Sequence, residues 1–95
     1  MNIQFNKDKN IILKKERNIS FEDIIVAINN GRVLDIINHT NLEKYPNQKM
    51  MIVDITNYIY IVPFVRDETK IFLKTIIPSR KMTKQYLHKG DKDEV

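Results

Sequence analysis

Apolar positions in this chain change period several times, and each change marks an element. Ile3 to Phe5 alternates and predicts a short strand. Asp8 to Arg17 predicts a helix, with Ile11, Ile12 and Lys15 on one modest apolar face, and Asn18 ends it because asparagine tolerates the left-handed conformation. Ser20 opens a second helix with full capping chemistry. Its hydroxyl can hold free amides, Asp23 can reach back, and Ile19 and Ile24 stand at staple spacing. Phe21, Ile24, Ile25 and Ile28 make the apolar face of that helix, and Asn30-Gly31 stops it.

Val33 to Ile37 is apolar enough for a strand or a further helical turn, and its pattern does not separate the two. Thr40 to Lys49 is a polar loop containing Tyr45-Pro46-Asn47. Three β-branched and aromatic runs follow, Met50 to Thr56, Tyr58 to Val65 and Lys70 to Ile77, with turns at Asn57 and at Arg66 to Thr69. They predict a three-stranded antiparallel meander, with a bulge or exposed edge at Pro63. Ser79 caps a last helix expected to reach about Lys89, and residues 91–95 are expected to form a flexible tail. The expected fold class is α+β, in a single domain over residues 1–90.

Composition removes several functions. With no cysteine there is no disulfide framework, thiolate metal site or cysteine nucleophile, which fits a reducing compartment. The apolar runs are too short for a signal peptide or a membrane span, so the expectation is a cytoplasmic protein with no membrane partner. Two glycines, Gly31 and Gly90, cannot build a phosphate loop, and His39 and His88 lack partners at ligand spacing, so neither cofactor nor metal is expected.

The net charge of +4 matters less than its distribution. Lys7, Lys9, Lys14, Lys15 and Arg17 form one basic cluster. Lys70, Lys74, Arg80, Lys81 and Lys84 form another, and no acidic residue interrupts it. Such clusters suit a phosphate backbone or an acidic protein surface. Arg80, Lys84 and His88 recur every four residues and would line one helix face, while Lys74 and Arg80 flank the strand-to-helix junction and could meet at one phosphate. The competing reading of the stripe is a solvated helix face. Tyr58, Tyr60 and Phe64 share one face of the middle strand; such a row could stack on bases, but more often it is core.

Both ends of the chain resemble a known family. BrnT toxins of bacterial type II toxin–antitoxin pairs open approximately F-E-W-D-x-x-K-N-x-x-N-x-x-K-H-G-[IV]-S-F-E-E. Laid on this pattern without a gap, the chain offers Phe5 for the tryptophan, Asn6 for the aspartate, Lys9-Asn10 for the lysine–asparagine pair, and Ile19-Ser20-Phe21-Glu22-Asp23 for the start of the second helix. The family's closing I-I-S-A-R-K-A-T is similar to Ile76-Ile77-Pro78-Ser79-Arg80-Lys81-Met82-Thr83. Arg17-Asn18 stands where the family has histidine-glycine, Leu13 where it has asparagine, and Thr75 where many members carry arginine.

The resemblance implies a RelE-like fold: an antiparallel sheet with two N-terminal helices and one C-terminal helix packed on it. It also implies a metal-independent endoribonuclease that arrests translation, is neutralised by a ribbon-helix-helix antitoxin, and binds operator DNA through that complex. On this reading Arg80 stabilises transition-state charge, with Lys74 and Arg66 as further catalytic phosphate contacts; Lys81, Lys84, His88, Arg17 and Lys9 bind RNA. Lys74, Glu22 and His88 are the candidates for proton transfer. Two alternatives stay open: a non-catalytic partner that binds the antitoxin and modulates DNA occupancy, and a scaffold whose basic patches have no ligand.

Overall fold

A computed structural model of the chain describes residues 2–88, and the polar punctuation of the sequence falls at its element boundaries. Strand β1 (Asn2–Phe5) leads into helix α1 (Lys7–Arg17), capped by Asn6, whose Oδ1 accepts the Lys9 N–H at 2.9 Å. Asn18 ends α1 in the left-handed conformation, at φ 53° and ψ 37°. Helix α2 (Phe21–Asn29) carries the expected capping box. Ser20 Oγ accepts from Asp23 N at 3.1 Å, and Asp23 Oδ2 accepts from Ser20 N at 3.0 Å. Gly31, at φ 71°, turns the chain out of α2 into strand β2 (Val33–Asn38), which resolves the open choice at Val33 to Ile37 in favour of a strand.

The meander is present as β3 (Lys49–Ile55), β4 (Tyr58–Arg66) and β5 (Lys70–Leu73). Thr56 and Asn57 both have positive φ, the geometry of a two-residue hairpin turn that follows strand twist. At the next turn Asp67 Oδ1 accepts from the N–H groups of Thr69 and Lys70. A two-residue strand β6 (Ile77–Pro78) precedes helix α3 (Arg80–Leu87), capped by Ser79. The expected helix end at Lys89 and the expected tail at 91–95 lie outside the described residues.

The strands run in the order β1-β5-β4-β3-β2, with β6 also paired to β4. All pairings are antiparallel except β1 with β5. The sheet is therefore mixed rather than antiparallel throughout. Leu13 of α1, Ile19 before α2, and Phe21, Ile24 and Ala27 of α2 pack on Met51, Val53, Val62, Phe64 and Leu73 of one sheet face, together with Ile76. The opposite face carries Ile52 and Ile59, and α3 crosses it.

Three further expectations change. On α1 the buried positions are Asn10 and Leu13, while Ile11 and Ile12 stay exposed, because Asn10 is bonded to the start of α2 and turns its own side of the helix inward. The run Lys70 to Ile77 is not one strand: pairing stops at Leu73 and resumes at Ile77, one residue out of register. Pro63 is buried in an interior strand, not at an exposed edge, and the predicted bulge lies on its partner, at Lys74 to Ile76. The Pro63 carbonyl accepts from Lys74 N at 2.8 Å, so its nitrogen, which has no hydrogen, also faces the interrupted ladder and strands no donor.

Thr83 fastens α3 to the sheet. Its Oγ1 accepts the buried Ile59 N–H at 2.9 Å and donates to the Ser79 carbonyl at 2.7 Å. Thr83→Val keeps the shape but strands the Ile59 donor, so stability is expected to fall by about 1–2 kcal/mol. Urea unfolding followed by circular dichroism checks this, and an unchanged midpoint would refute the role.

Candidate functional site

Predicted cations border the interruption between β5 and β6 from several elements. Lys74 is the first residue past β5, and its ammonium lies 5.5 Å from the Phe72 ring centroid. Phe72 pairs with Val65, so both it and Lys74 lie on the face that α3 crosses. Arg17, at the end of α1, donates from its guanidinium to the Ile76 carbonyl at 2.6 Å. That bond fills an acceptor left open by the break in the ladder. Arg80 begins α3 four residues beyond Ile76. Because Phe5 is paired in parallel with Leu73, the chain enters α1 beside the same break, with Lys7 and Lys9 in its first turn.

Arg80, Lys81 and Lys84 are exposed, and none of them is ion-paired among the described residues. The first turn of α3 holds no acidic residue. His88 is half-buried at the C-cap of α3, and its backbone N–H donates to the Lys84 carbonyl. Lys74 bonds opposite Pro63 and Ser79, just before Arg80, bonds opposite Ile59, four strand residues or about 13 Å along β4, so the two cations border one edge rather than one point.

Arg66 belongs elsewhere. It pairs with Ile71 on the opposite sheet face, three strand residues from Pro63 and thus about 10 Å along β4 from the Lys74 pairing. There it lines a concavity of about 600 Å³ whose floor includes Met51, Phe64 and Ile71, with Lys49, Asp67 and Glu68 also around it. Asp67 is held below its ordinary carboxyl range by the backbone N–H groups of Thr69 and Lys70, which fixes a negative charge next to Arg66. The fold therefore separates Arg66 from Lys74, two residues grouped in the sequence reading.

Other candidates are engaged in structure. Glu22 accepts from Asn10 Nδ2 at 2.7 Å and lies 3.7 Å from Lys14; chiefly because of the Asn10 bond its carboxyl is held below the usual range. That makes it a weak base. Phe64 is core, Tyr60 packs against it, and Tyr58 meets Tyr60 edge-on at 5.7 Å, so the core reading of that row is the structural outcome for Phe64 and Tyr60. His39 accepts from Asn41 N through Nδ1 at 3.0 Å and lies against Tyr45, which shapes the loop.

Sequence reasoning missed two polar positions. Asn10 joins α1 to α2 by donating to Glu22 and accepting the buried Phe21 N–H at 2.7 Å. Asp54 is buried and ion-paired with Arg32 at 3.0 Å. An asparagine within a helical pattern and an aspartate within a strand were the available signals, since either is costly to bury without partners.

No family model, curated protein or solved structure matches this chain. Among the described residues no helix is long and apolar enough to cross a membrane, and no group of three or more histidine, cysteine, aspartate or glutamate residues could hold a metal ion.

Proposed function

We propose that this chain is a RelE-like toxin of the BrnT type, an endoribonuclease acting in the cytoplasm and neutralised by a ribbon-helix-helix antitoxin. The observation that carries the reading is the cationic edge at the β5–β6 break, where Lys74 and Arg80 flank a ladder interruption and no acidic residue shares the turn. The element order supports it: after one strand come two helices, then five strands and a closing helix, in keeping with the two N-terminal helices and one C-terminal helix that the resemblance implies.

The chemistry needs no metal. An RNA 2′-OH attacks the adjacent phosphorus, a P–O bond forms, and the bond to the 5′-oxygen of the next nucleotide breaks, leaving a 2′,3′-cyclic phosphate. The proton lost by the 2′-OH is balanced by one delivered to the leaving oxygen. Arg80 offers a planar fork to two phosphate oxygens, Lys74 offers a point charge, and Lys81 and Lys84 extend the track along α3. The enzyme supplies position and charge.

Incubating purified protein with a defined RNA, in the presence of chelator, tests the proposal. Discrete fragments ending in cyclic phosphate are the expected result. Intact RNA, with or without ribosomes, would refute the catalytic reading.

One observation favours a second reading. Arg17 occupies the histidine position of the resembled pattern and has its guanidinium tied to Ile76 O. A member built this way could bind its antitoxin and operator DNA without cutting RNA. DNA affinity of the isolated chain that falls steeply with salt would support that role, whereas no DNA binding would remove direct phosphate contact from it.

A further inference from the structure

Strand β2 forms one margin of the sheet, and it is an unusually apolar margin: Leu34 is 42% exposed and Ile36 51%. A flat apolar edge invites another strand, because its outward N–H and C=O groups form a ready template. Which groups face outward follows from the register. The pairing of Ile36 with Met51 and Asn38 with Lys49 continues to His39, whose N–H donates to Gln48 O, so the odd-numbered residues bond inward to β3. Ile36 therefore presents its N–H to the outside.

That N–H is already occupied. It donates to Oδ1 of the neighbouring Asp35 at 2.8 Å, and the other oxygen of the same carboxylate accepts from the Tyr86 hydroxyl of α3 at 3.0 Å. Asp35 pairs with Ile52, which places it on the α3 side, and its carboxylate reaches round the margin. A second device stands at one end: Val33 pairs with Val53 and Asp35 with Ile52, so Leu34 is an extra residue that interrupts the regular register.

We propose that Asp35, positioned by Tyr86, is a gate that keeps two copies of this chain from joining their sheets through β2. A second copy is the occupant the strand itself specifies. Antiparallel pairing centred on Ile36 sets Ile36 against Ile36, Leu34 against Asn38 and Asp35 against Ile37, so no like charges meet and the exposed apolar side chains cover each other. What prevents it is the central carboxylate, which takes the N–H that the incoming strand needs and which that strand would strip of water. The gate is independent of any ribonuclease activity.

Light scattering coupled to size exclusion, over a concentration series, tests the gate. The wild-type chain is expected to remain monomeric. Asp35→Ala is expected to raise the apparent mass roughly twofold as concentration increases. Asp35→Asn keeps an acceptor for Ile36 N–H and should stay monomeric. Adding Ile36→Lys to Asp35→Ala places a charge on the opened edge and should restore the monomer.

A folded Asp35→Ala that remains monomeric throughout, a dimeric wild type, or association undiminished by Ile36→Lys would each overturn the proposal. Should Asp35→Ala fail to fold, Tyr86→Phe decides. That variant keeps the carboxylate but frees it, and a shift towards dimer supports the gate while an unchanged monomer refutes it.

Discussion

Arg80→Ala is expected to lower RNA cleavage by about a hundredfold to a thousandfold while leaving the fold intact, the usual effect of losing one donor that meets transition-state charge. The position suits a clean test. Arg80 is exposed, and the cap of α3 is made by Ser79 Oγ and the Met82 N–H rather than by its side chain. Truncation should therefore leave the urea midpoint unchanged. Arg80→Lys keeps the charge and loses the fork, so its rate should fall between wild type and alanine.

Arg66→Ala is the internal control, because the fold puts Arg66 on the far face beside Asp67 and Glu68. It should cleave within a few-fold of wild type. Single-turnover cleavage of one labelled RNA by all four proteins separates the cases. If Arg66→Ala loses more activity than Arg80→Ala, the reaction belongs to the concave face, and the β5–β6 edge has been misassigned.

Asn10→Ala is expected to produce the largest loss of stability. Its Oδ1 is the acceptor for the buried Phe21 N–H, and among the described residues no other acceptor is bonded to that donor. Stranding it costs about 1–3 kcal/mol, and the lost bond to Glu22 adds to that. Because Asn10 ties α1 to the first turn of α2, loosened docking of α1 should appear as faster amide exchange along Lys7–Arg17.

Asn10→Asp sharpens the test through pH. An aspartate keeps an acceptor for Phe21 N–H but sets a second carboxylate against Glu22, where the amide had donated at 2.7 Å. The variant should be weakest at neutral pH and regain stability on acidification, as one of the two carboxylates takes a proton. Wild type should behave in the opposite sense. The Asn10 hydrogen bond holds the Glu22 carboxyl below its ordinary value, so its contribution is complete above the ordinary carboxyl range and is lost as pH falls through the lower folded value. Chemical denaturation at several pH values between acid and neutral would show the crossing trends, and parallel curves would exclude the Asn10–Glu22 contact as their cause.

Local chemistry was legible where it was self-contained. Ser20 and Asp23 lie three residues apart and complete each other's bonds within one turn, so spacing alone announces the start of α2. Asn18 and Gly31 end helices through their own backbone freedom, and Thr56-Asn57 closes a hairpin in two residues. In the candidate site, the basic run from Lys74 to Lys84 was visible for the same reason, being contiguous in the chain.

What could not be read lies in pairings of distant segments. Ile11 and Ile12 look like a core face, but which side of α1 turns inward depends on Asn10 finding Phe21 and Glu22, eleven and twelve residues away. Arg17 reads as a free cation, yet its partner is a carbonyl 59 residues on, left open only because the ladder breaks opposite Pro63. Arg66 and Lys74 read as neighbours, and strand alternation across the β4–β5 hairpin sends them to opposite faces.

The α+β class, the caps at Ser20 and Ser79, the meander and the basic character of the closing segment were written in the chain, since each rests on interactions spanning a few residues. Tertiary structure alone decided that β1 joins β5 in parallel, that Pro63 is buried beside a bulge in its partner strand, and that β2 is left at the margin with Asp35 over its outward N–H. These outcomes depend on which backbone donors and acceptors remain after every strand has found its neighbour, and no local pattern of side chains encodes that remainder.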